Sequence, residues 1–312
     1  MPRPQDNLRG HSLLGVFAHP DDESLACGGL LARCAQLGAR VAVFCATHGE
    51  DGPGGGTTDG SGDATWEDTS RVLGETRARE LAAAAGVLGV AEVVLLDYPD
   101  GSLPWADART LETDIRDTIR RIRPDVVVTF GPDGLYWHPD HIAIHERTTA
   151  AVAALGDEAP ALYYVTMPPG QMRGVVDNAL DKAVENAVEH TADSAATRVE
   201  SAGTNTSEPG AQTPSLVPGL IDPDAFGVMA DAPTLVVEAG EFAARKLAAL
   251  KCHRTQLARS ALACILERDA ARLIGTEHFR RAGVGAAGDA FIERFASPDN
   301  GRPDRGEPAS QA

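Results

Sequence analysis

The tripeptide His-Pro-Asp occurs twice in this chain of 312 residues, at 19–21 and at 138–140. Only about 0.05 copies are expected by chance at this composition, so the repetition needs a chemical reason. A second carboxylate, Asp22, follows the first copy, and a second imidazole, His141, follows the other. Imidazole and carboxylate donors together suit a divalent ion of the zinc type.

A ligand set for such an ion would be His19, Asp22 and His141, with a fourth position open for water. Asp21 is then a carboxylate beside the metal that is not needed as a ligand. We expect Asp21 to be the general base that takes a proton from the metal-bound water. His145, one helical turn after His141, is an alternative fourth ligand, although such a residue more often supports a ligand or lies at the surface.

His138 lies three residues before a ligand and is expected to face the substrate. Asp140 is expected to hold the imidazolium form of His138, the usual role of a carboxylate beside a histidine. A single His-Pro-Asp would be explained better by an aspartate that caps the following helix. Two copies, each after an apolar strand, favour the metal site instead.

The strands and helices that position these residues are predicted from apolar runs that alternate with helical patterns along the chain. The runs predict strands over about 12–17, 40–47, 92–97, 125–130, 161–166 and 234–238. Helices are predicted over about 24–37, 69–85, 111–122, from the second His-Pro-Asp to about 155, and over 241–259. Residues 49–62, rich in Gly, Asp and Thr, predict an irregular loop.

Strands alternating with helices indicate an α/β fold with a Rossmann-like, mostly parallel sheet and helices on both faces. In the common strand order 3-2-1-4-5, the first and fourth strands are neighbours at the topological switch point. Ligands bind there, beyond the carboxyl ends of the strands. The two His-Pro-Asp copies follow these two strands, so we expect the metal site at the switch point.

Residues 1–297 are expected to form a single domain. Within it, about 175–218 is polar and acidic with few large apolar side chains, which predicts an insertion that is partly helical or disordered. Residues 298–312 predict a disordered tail. The five cysteines include no C-x-x-C pair, and we expect them to be free, buried thiols.

The charge balance narrows the range of partners. With 28 basic and 45 acidic residues, the net charge of −17 argues against a phosphate-binding nucleic-acid surface and against docking on an anionic membrane. No targeting segment or transmembrane stretch is recognised, so a cytoplasmic location is expected. We expect a small-molecule partner, and a homo-oligomer stays open.

Residues 18–23 read Ala-His-Pro-Asp-Asp-Glu and residues 138–141 read His-Pro-Asp-His. These motifs resemble the signatures of the LmbE/PIG-L superfamily of zinc-dependent N-acetylglucosaminyl deacetylases, and the resemblance extends over roughly 12–170. It implies one Zn²⁺ per chain on the three ligands named above, with Fe²⁺ or Co²⁺ as alternative ions. It also implies that Asp21 is the general base and that the substrate is an amino sugar.

The resemblance implies further roles. His138 would act as an acid or oxyanion stabiliser tuned by Asp140, and Tyr136 would help to bind the oxyanion. Arg77, in a segment similar to R-x-x-E-L, and Asp100, in an Asp-Gly turn, would contact the substrate. Residues 251–256 resemble a late H-x-[ST]-Q element of the family, for which helix packing or a subunit contact is the alternative.

We therefore expect a hydrolase that removes an N-acetyl group from an N-acetylglucosamine-type conjugate, using metal-activated water and an aspartate base. An amidase of larger thiol-sugar conjugates is the nearest alternative. A nucleotide-binding oxidoreductase on the same fold is less favoured, because the turn after the first strand carries no G-x-G-x-x-G. A non-catalytic sugar-binding relative is disfavoured because Asp21 is retained beside a full ligand set.

Overall fold

The computed structural model describes residues 7–52, 65–200, 222–227, 232–258 and 260–297, and their side chains except over 186–200. The strands of these residues are β1 (Ser12–Phe17), β2 (Arg40–Thr47), β3 (Glu92–Tyr98), β4 (Val126–Phe130), β5 (Ala161–Thr166), β6 (Leu235–Glu238) and β7 (Thr276–Gly285). They form one sheet in the order β3-β2-β1-β4-β5-β7-β6. The first five are parallel, and β7 runs antiparallel to both β5 and β6.

The helices of the described residues are α1 (Asp22–Gln36), α2 (Trp66–Leu88), α3 (Ala108–Ile122), α4 (Gly134–Trp137), α5 (Pro139–Ala153), α6 (Gln171–Glu200), α7 (Ala243–Leu250), α8 (Arg254–Leu257) and α9 (Glu267–Ile274). Short 3₁₀ turns lie at Leu103–Trp105, Gly156–Glu158, Pro223–Ala225, Gly240–Phe242, Ala261–Cys264 and Phe291–Phe295. Two groups of helices pack together, α1 with α2 and α7, and α3 with α5. Of these helices, none is sufficiently long and apolar to cross a membrane.

β1 and β4 lie side by side in the sheet, with Leu14 of β1 opposite Val127 of β4. Every residue of β4 is buried, as expected for a parallel strand covered on both faces. Because the strand order reverses between β1 and β4, a crevice forms beyond their carboxyl ends. The residues that follow Phe17 and Phe130 are brought together in that crevice.

The mostly parallel α/β sheet is confirmed, including the order of its first five strands. The single helix predicted over 241–259 is wrong, because α7 ends at Leu250 and a turn separates it from α8. β7 is absent from the predicted elements. Its sequence, TEHFRRAGVG, alternates charged and apolar residues for only part of its length, and the strand inserts between β5 and β6, antiparallel to both.

The segment expected to be an insertion, 175–218, begins inside a packed helix. Val175 and Val176 of α6 are buried in the core, and α6 continues to Glu200. The core therefore extends into the first turns of this segment. Residues 201–218, the expected tail at 298–312 and most of the predicted loop at 49–62 lie outside the described residues.

The five cysteines are free thiols, but they are not all buried as predicted. Cys27, Cys34 and Cys45 are buried, Cys252 is half-buried and Cys264 is exposed. Burial raises the pKa of each of the three buried thiols above its ordinary value. These three cysteines therefore behave as small apolar core residues.

A kink divides α1, the helix that begins at the first motif. Cys27 leaves the helical region, with φ −149° and ψ 24°. The Glu277 carboxylate of β7 then accepts the N–H groups of Gly29 and Leu30, each at 2.8 Å, and so caps the second half of the helix. The Nζ of Lys246 donates to the same carboxylate at 2.7 Å. This buried pair ties α1 to β7 and α7.

Candidate active site

The first motif forms a tight turn between β1 and α1. Asp21 has φ 112°, in a region that residues other than glycine rarely adopt. Its N–H donates to Oε2 of Glu23 at 3.0 Å, which supports this conformation. Such backbone strain is concentrated at functional sites. The turn places the side chains of His19 and Asp22 in the crevice next to β4.

The second motif follows β4 through the short helix α4. Leu135 and Trp137 both have positive φ values, 71° and 67°, which bulky residues rarely adopt. The residues after them, Tyr136 and His138, line the same cavity as the first motif. His138 also starts α5, because its Nδ1 accepts the N–H of Asp140 at 3.2 Å.

The side chains of the three predicted ligands meet at the centre of the crevice. Nδ1 of His19 lies 3.2 Å from Nε2 of His141. Asp22 places Oδ1 3.2 Å from that Nε2 and Oδ2 3.5 Å from the His19 Nδ1. Donors about 2.1 Å from a tetrahedral zinc ion are separated by roughly 3.4 Å. The spacing of these atoms therefore fits one divalent ion.

The far side of each ligand ring is held by a hydrogen bond. Nδ1 of His141 donates to the carbonyl oxygen of Gly134 at 3.0 Å, which leaves the Nε2 lone pair facing the centre. Nε2 of His19 faces Asp100 at 2.9 Å and Asp140 at 3.1 Å, which leaves Nδ1 free for an ion. Such partners fix the tautomer of metal-bound histidines.

The charges around the centre favour a cation. Burial opposes the charge of Asp22, but the neighbouring rings of His141 and His19 outweigh it and hold the pKa of that carboxyl well below its ordinary value. Burial also opposes a charge on His19, but the surrounding carboxylates outweigh it and raise the pKa of that ring well above its ordinary value. The pocket of carboxylates is therefore suited to a bound positive charge.

The expected pairing of Asp140 with His138 is wrong. The buried Asp140 carboxylate accepts the N–H groups of Gly101 at 2.8 Å and Leu103 at 3.1 Å, and it faces Nε2 of His19. Only the backbone N–H of Asp140 reaches the His138 ring. The Asp140 carboxylate thus orients the ring of His19, a predicted ligand, and it does not pair with the His138 ring.

His138 is a neutral ring in this environment. Burial, followed by the neighbouring rings of His141 and His19, lowers the pKa of His138 to about 4. One ring nitrogen of His138 lies within 4.8 Å of ring nitrogens of both His19 and His141, so His138 is a further candidate metal ligand. His145 lies apart from this cluster, since its Nδ1 bonds the carbonyl of Phe130 at 3.0 Å.

Asp21 opens to the cavity and is held from behind by Arg77. The buried Arg77 guanidinium donates to the carbonyl oxygens of Gly49 and Pro20, each at 2.7 Å, and to Oδ2 of Asp21 at 3.3 Å. The Asp21 side chain is 31% exposed. Burial raises its pKa to about 6, Arg77 opposes this shift, and Asp22 adds to it. Arg77 therefore orients Asp21, as well as lining the cavity.

Asp100 and Tyr136 take different positions relative to the centre. Both oxygens of Asp100 are engaged, one by the His19 ring and the other by the N–H of Asp51 at 3.0 Å. Asp100 therefore supports His19, a predicted metal ligand, more directly than it could bind a sugar. The half-buried Tyr136 ring packs 5.1 Å from His141. Burial and nearby carboxylates raise its pKa well above the ordinary value, so the phenol keeps its proton.

Sequence reasoning missed the pair of Glu23 and His253. Oε1 of Glu23 lies 2.9 Å from Nε2 of His253, and the two residues are 1% and 2% exposed. Burial lowers the pKa of His253, but Glu23 outweighs it and raises the pKa above its ordinary value. The sequence signals for this pair were the Glu that ends the first motif and the family-like element at 251–256. The pair connects the strained turn at Asp21 to the segment between α7 and α8.

A cavity of about 440 Å³ opens over the centre. Its polar side carries the metal-site and turn residues, among them His19, Asp21, Asp22, Tyr136, His138 and His253. Its lining also includes the apolar side chains of Met172, Val176, Phe226, Leu250, Leu257 and Leu262, together with the polar side chains of Gln256 and Ser260. The volume lies within the roughly 300–1,000 Å³ that is usual for small-molecule sites.

Known proteins resemble this chain in sequence and fold. Residues 14–152 match the family model described as PIG-L, GlcNAc-PI de-N-acetylase. A 1D-myo-inositol 2-acetamido-2-deoxy-alpha-D-glucopyranoside deacetylase 2 from Catenulispora acidiphila is 33% identical, over 86% of this chain and 87% of its own. A deacetylase of the same substrate name from Acidothermus cellulolyticus is 32% identical, over 79% and 80%.

The fold resembles that of N,N′-diacetylchitobiose deacetylase from Pyrococcus horikoshii, with a TM-score of 0.53 and 18% identity. The likeness covers 87% of this chain and 83% of that one. At this identity, the likeness concerns the fold alone.

Proposed function

Because the chain belongs to the PIG-L (LmbE) family, we propose that it is a metal-dependent hydrolase that removes the acetyl group from an N-acetylglucosamine conjugate. The observation that supports this best is the donor triangle formed by Nδ1 of His19, Nε2 of His141 and the Asp22 carboxylate: the two nitrogens are 3.2 Å apart, and the two carboxylate oxygens lie 3.2 Å and 3.5 Å from the nearer ring nitrogen. The relatives that match most of the chain are named as deacetylases of an acetamido sugar linked to inositol.

His19, Asp22 and His141 would hold one Zn²⁺ per chain, with Fe²⁺ or Co²⁺ as alternative ions for the same donors. When bound, the ion supplies Lewis acidity toward the amide carbonyl and lowers the pKa of a water molecule. Asp100 and Asp140 hold the His19 ring in the tautomer that this requires.

Asp21 is proposed as the general base. Its carboxylate faces the cavity next to the donor triangle, while Arg77 and the Asp21 N–H bond to Glu23 fix its direction. It takes the proton of the attacking water and returns it to the nitrogen of the leaving amine, so that one group serves both steps.

His138 and Tyr136 are proposed to stabilise the oxygen that becomes negative when water adds to the amide. Because Nδ1 of His138 accepts the N–H of Asp140, its ring proton lies on Nε2, where it can be donated in a hydrogen bond. The protonated phenol of Tyr136 is a second donor lining the cavity. Donors that are in place before the reaction are effective stabilisers of such an oxyanion.

Separate variants test the base and the ligands. Asp21→Asn should retain the metal and lower turnover by about 100-fold or more, because the amide cannot take the proton. Asp22→Asn, a matched change at the next residue, should lose metal, as should His141→Ala. Metal content is measured by elemental analysis, and turnover by free amine released from a panel of N-acetylglucosamine conjugates that includes the inositol glycoside.

Two results would contradict the assignment. Near-normal turnover by Asp21→Asn would remove this residue from the mechanism, and full metal content in both ligand variants would remove the donor triangle. Release of longer acyl groups from thiol-sugar conjugates, without any release of acetate, would indicate the alternative amidase activity.

A further inference from the structure

Asp21, the proposed base, also occupies the position that caps the following helix. It is the N-cap residue of α1, since its carbonyl oxygen accepts the N–H groups of Ser24 and Leu25 at 3.1 and 3.0 Å. An aspartate at this position usually has an extended backbone and turns its carboxylate back to the N–H of the second or third helical residue. We call this usual arrangement the capping conformation. The Asp21 side chain makes no such bond, and its φ of 112° lies outside the extended region.

Glu23 holds the backbone of Asp21 out of the capping conformation. Oε2 of Glu23 accepts the Asp21 N–H at 3.0 Å. Rotation about the N–Cα bond of Asp21 would move this N–H relative to every residue that follows, so the hydrogen bond restrains φ. A glutamate that reaches back to the N–H of the N-cap residue is one half of a capping box. The Asp21 carboxylate is thereby left for the cavity, where Arg77 donates to its Oδ2 at 3.3 Å.

Glu23 in turn depends on His253. Its side chain is 1% exposed, and its Oε1 accepts Nε2–H of His253 at 2.9 Å and the hydroxyl of Ser24 at 2.5 Å. Among the described residues, His253 is the only basic side chain that pairs with this carboxylate. A buried carboxylate that loses its basic partner is strongly unfavourable. Without His253, the Glu23 side chain is therefore expected to turn toward water or another donor and to release the Asp21 N–H.

The His253 ring makes no other hydrogen bond within the part of the chain that the structure describes. Its Nδ1 is buried and has no partner there. The segment that carries the ring is fixed separately, because Thr255 donates its N–H and its hydroxyl to the carboxylate of Glu80 on α2, at 3.0 and 2.6 Å. The ring therefore has a defined position, from which its single hydrogen bond goes to Glu23.

Resting on the proposed function, we infer that His253 is a positioning residue for Asp21: through Glu23, it holds the Asp21 backbone in the strained conformation that directs the carboxylate to the cavity. In the absence of this support, Asp21 adopts the capping conformation, so that α1 gains a cap and the reaction loses its base. Such an enzyme still binds its metal and its substrate, but the proton acceptor is out of place.

Two matched variants at position 253 test the inference with the metal-loaded full-length enzyme. Leu and Gln are similar in size, but only Gln has an N–H to donate to Glu23. With the best substrate of the N-acetylglucosamine panel, His253→Leu should lower kcat by about 10- to 100-fold. Metal content should be unchanged and KM should stay within about twofold, since substrate binding is not affected. His253→Gln, which restores the hydrogen bond, should keep kcat within about threefold of the wild type.

Thr255→Val is the control, because it removes a hydrogen bond of the same segment without changing Glu23 or His253. It should keep the wild-type kcat. If His253→Leu does not fold, the double variant Glu23→Leu/His253→Leu, which removes the buried charge as well, repeats the test. It should lose kcat to the same extent, because it also lacks the acceptor of the Asp21 N–H.

A double-mutant cycle distinguishes positioning from a direct role. His253 lines the cavity, so contact with the substrate is the alternative. A residue that acts through Asp21 has little left to remove once Asp21 is replaced, so adding His253→Leu to Asp21→Asn should change the residual kcat by less than about twofold. A crystal structure of the metal-loaded His253→Leu variant should show Asp21 in the capping conformation.

The outcomes separate this inference from the proposed function. Wild-type kcat in His253→Leu, or equal losses in His253→Leu and His253→Gln, would overturn the inference and leave the deacetylase in place. A raised KM at unchanged kcat, or the same loss of kcat in the wild-type and Asp21→Asn backgrounds, would also overturn it, because His253 would then act on the substrate. No turnover of any panel member by the wild-type enzyme would overturn the proposed function, and this inference with it.

Discussion

Replacing Asp140 by Asn tests the corrected role of this carboxylate. Its Oδ2 accepts the N–H of Gly101 and faces Nε2 of His19, while Oδ1 accepts the N–H of Leu103. Asn has the same shape but only one acceptor oxygen. Its best orientation keeps that oxygen at the Oδ2 position, so the amide group then faces the Leu103 N–H, and the negative charge beside His19 is lost.

The expected size of the effect follows from these contacts. A lost hydrogen bond to a buried charged acceptor costs about 1.5–3 kcal/mol, so we expect the free energy of unfolding to fall by about 2 kcal/mol. Removing the partner of a ligand histidine lowers metal affinity about 10- to 100-fold. Because Asp100 still accepts from His19 at 2.9 Å, the single variant should lie near tenfold and the double variant Asp100→Asn/Asp140→Asn near 100-fold.

Metal affinity is measured by competition with a chromophoric chelator, and stability by urea unfolding. Asp125→Asn is the control, because Asp125 also accepts a backbone N–H, from Ser12 at 2.7 Å, but lies before β4, at the opposite end of the strands from the site. It should lower stability without changing metal affinity. Wild-type affinity in both the single and the double variant would refute the assignment of Asp140 and Asp100 to His19.

Three further outcomes are expected. Lys246→Met leaves the buried Glu277 carboxylate without its cation, and should lower the free energy of unfolding by about 3–5 kcal/mol in urea titrations; a loss below about 1 kcal/mol would contradict this pairing. With a thiol reagent, native protein should show fast reaction at Cys264, slower reaction at Cys252 and no other reactive cysteine before unfolding. A chelator should lower the Tm, because an ion at 100 times its Kd contributes about 2.7 kcal/mol, and adding Zn²⁺ should restore it; an unchanged Tm would argue against a folded-state metal site.

The sheet that carries the site was largely predictable. The bounds of β1, β2 and β5 match their predicted ranges, because each is an apolar run bounded by turn residues. β7 could not be found in this way, because one of its inward side chains is the charged Glu277, which caps a helix instead of filling the core. The end of α7 at Leu250 was not predicted either, because the turn that follows serves a contact distant in sequence, between His253 and Glu23.

That His19, Asp22 and His141 come together was predictable, and the contacts that support them were not. His19, Asp22 and His141 follow from residue types and from the switch-point rule. The partner of Asp140 does not, because proximity in sequence pointed to His138 whereas the carboxylate faces His19, which is 121 residues away. Contacts of this range depend on tertiary packing, which local spacing does not report.

Two contacts that hold α1, the Glu277 cap and the pair of Glu23 and His253, have a consequence for the order of folding. All three donors of the proposed metal site lie within the first 141 residues, but Glu277 reaches α1 across 248 residues and His253 reaches Glu23 across 230. Closing such long loops is slow, and a growing chain folds its early part first. A nascent chain that ends before α7 can therefore form β1 to β5 while Glu23, which supports the strained turn at Asp21, still lacks its His253 partner. We expect metal affinity to appear only when the last third of the polypeptide docks.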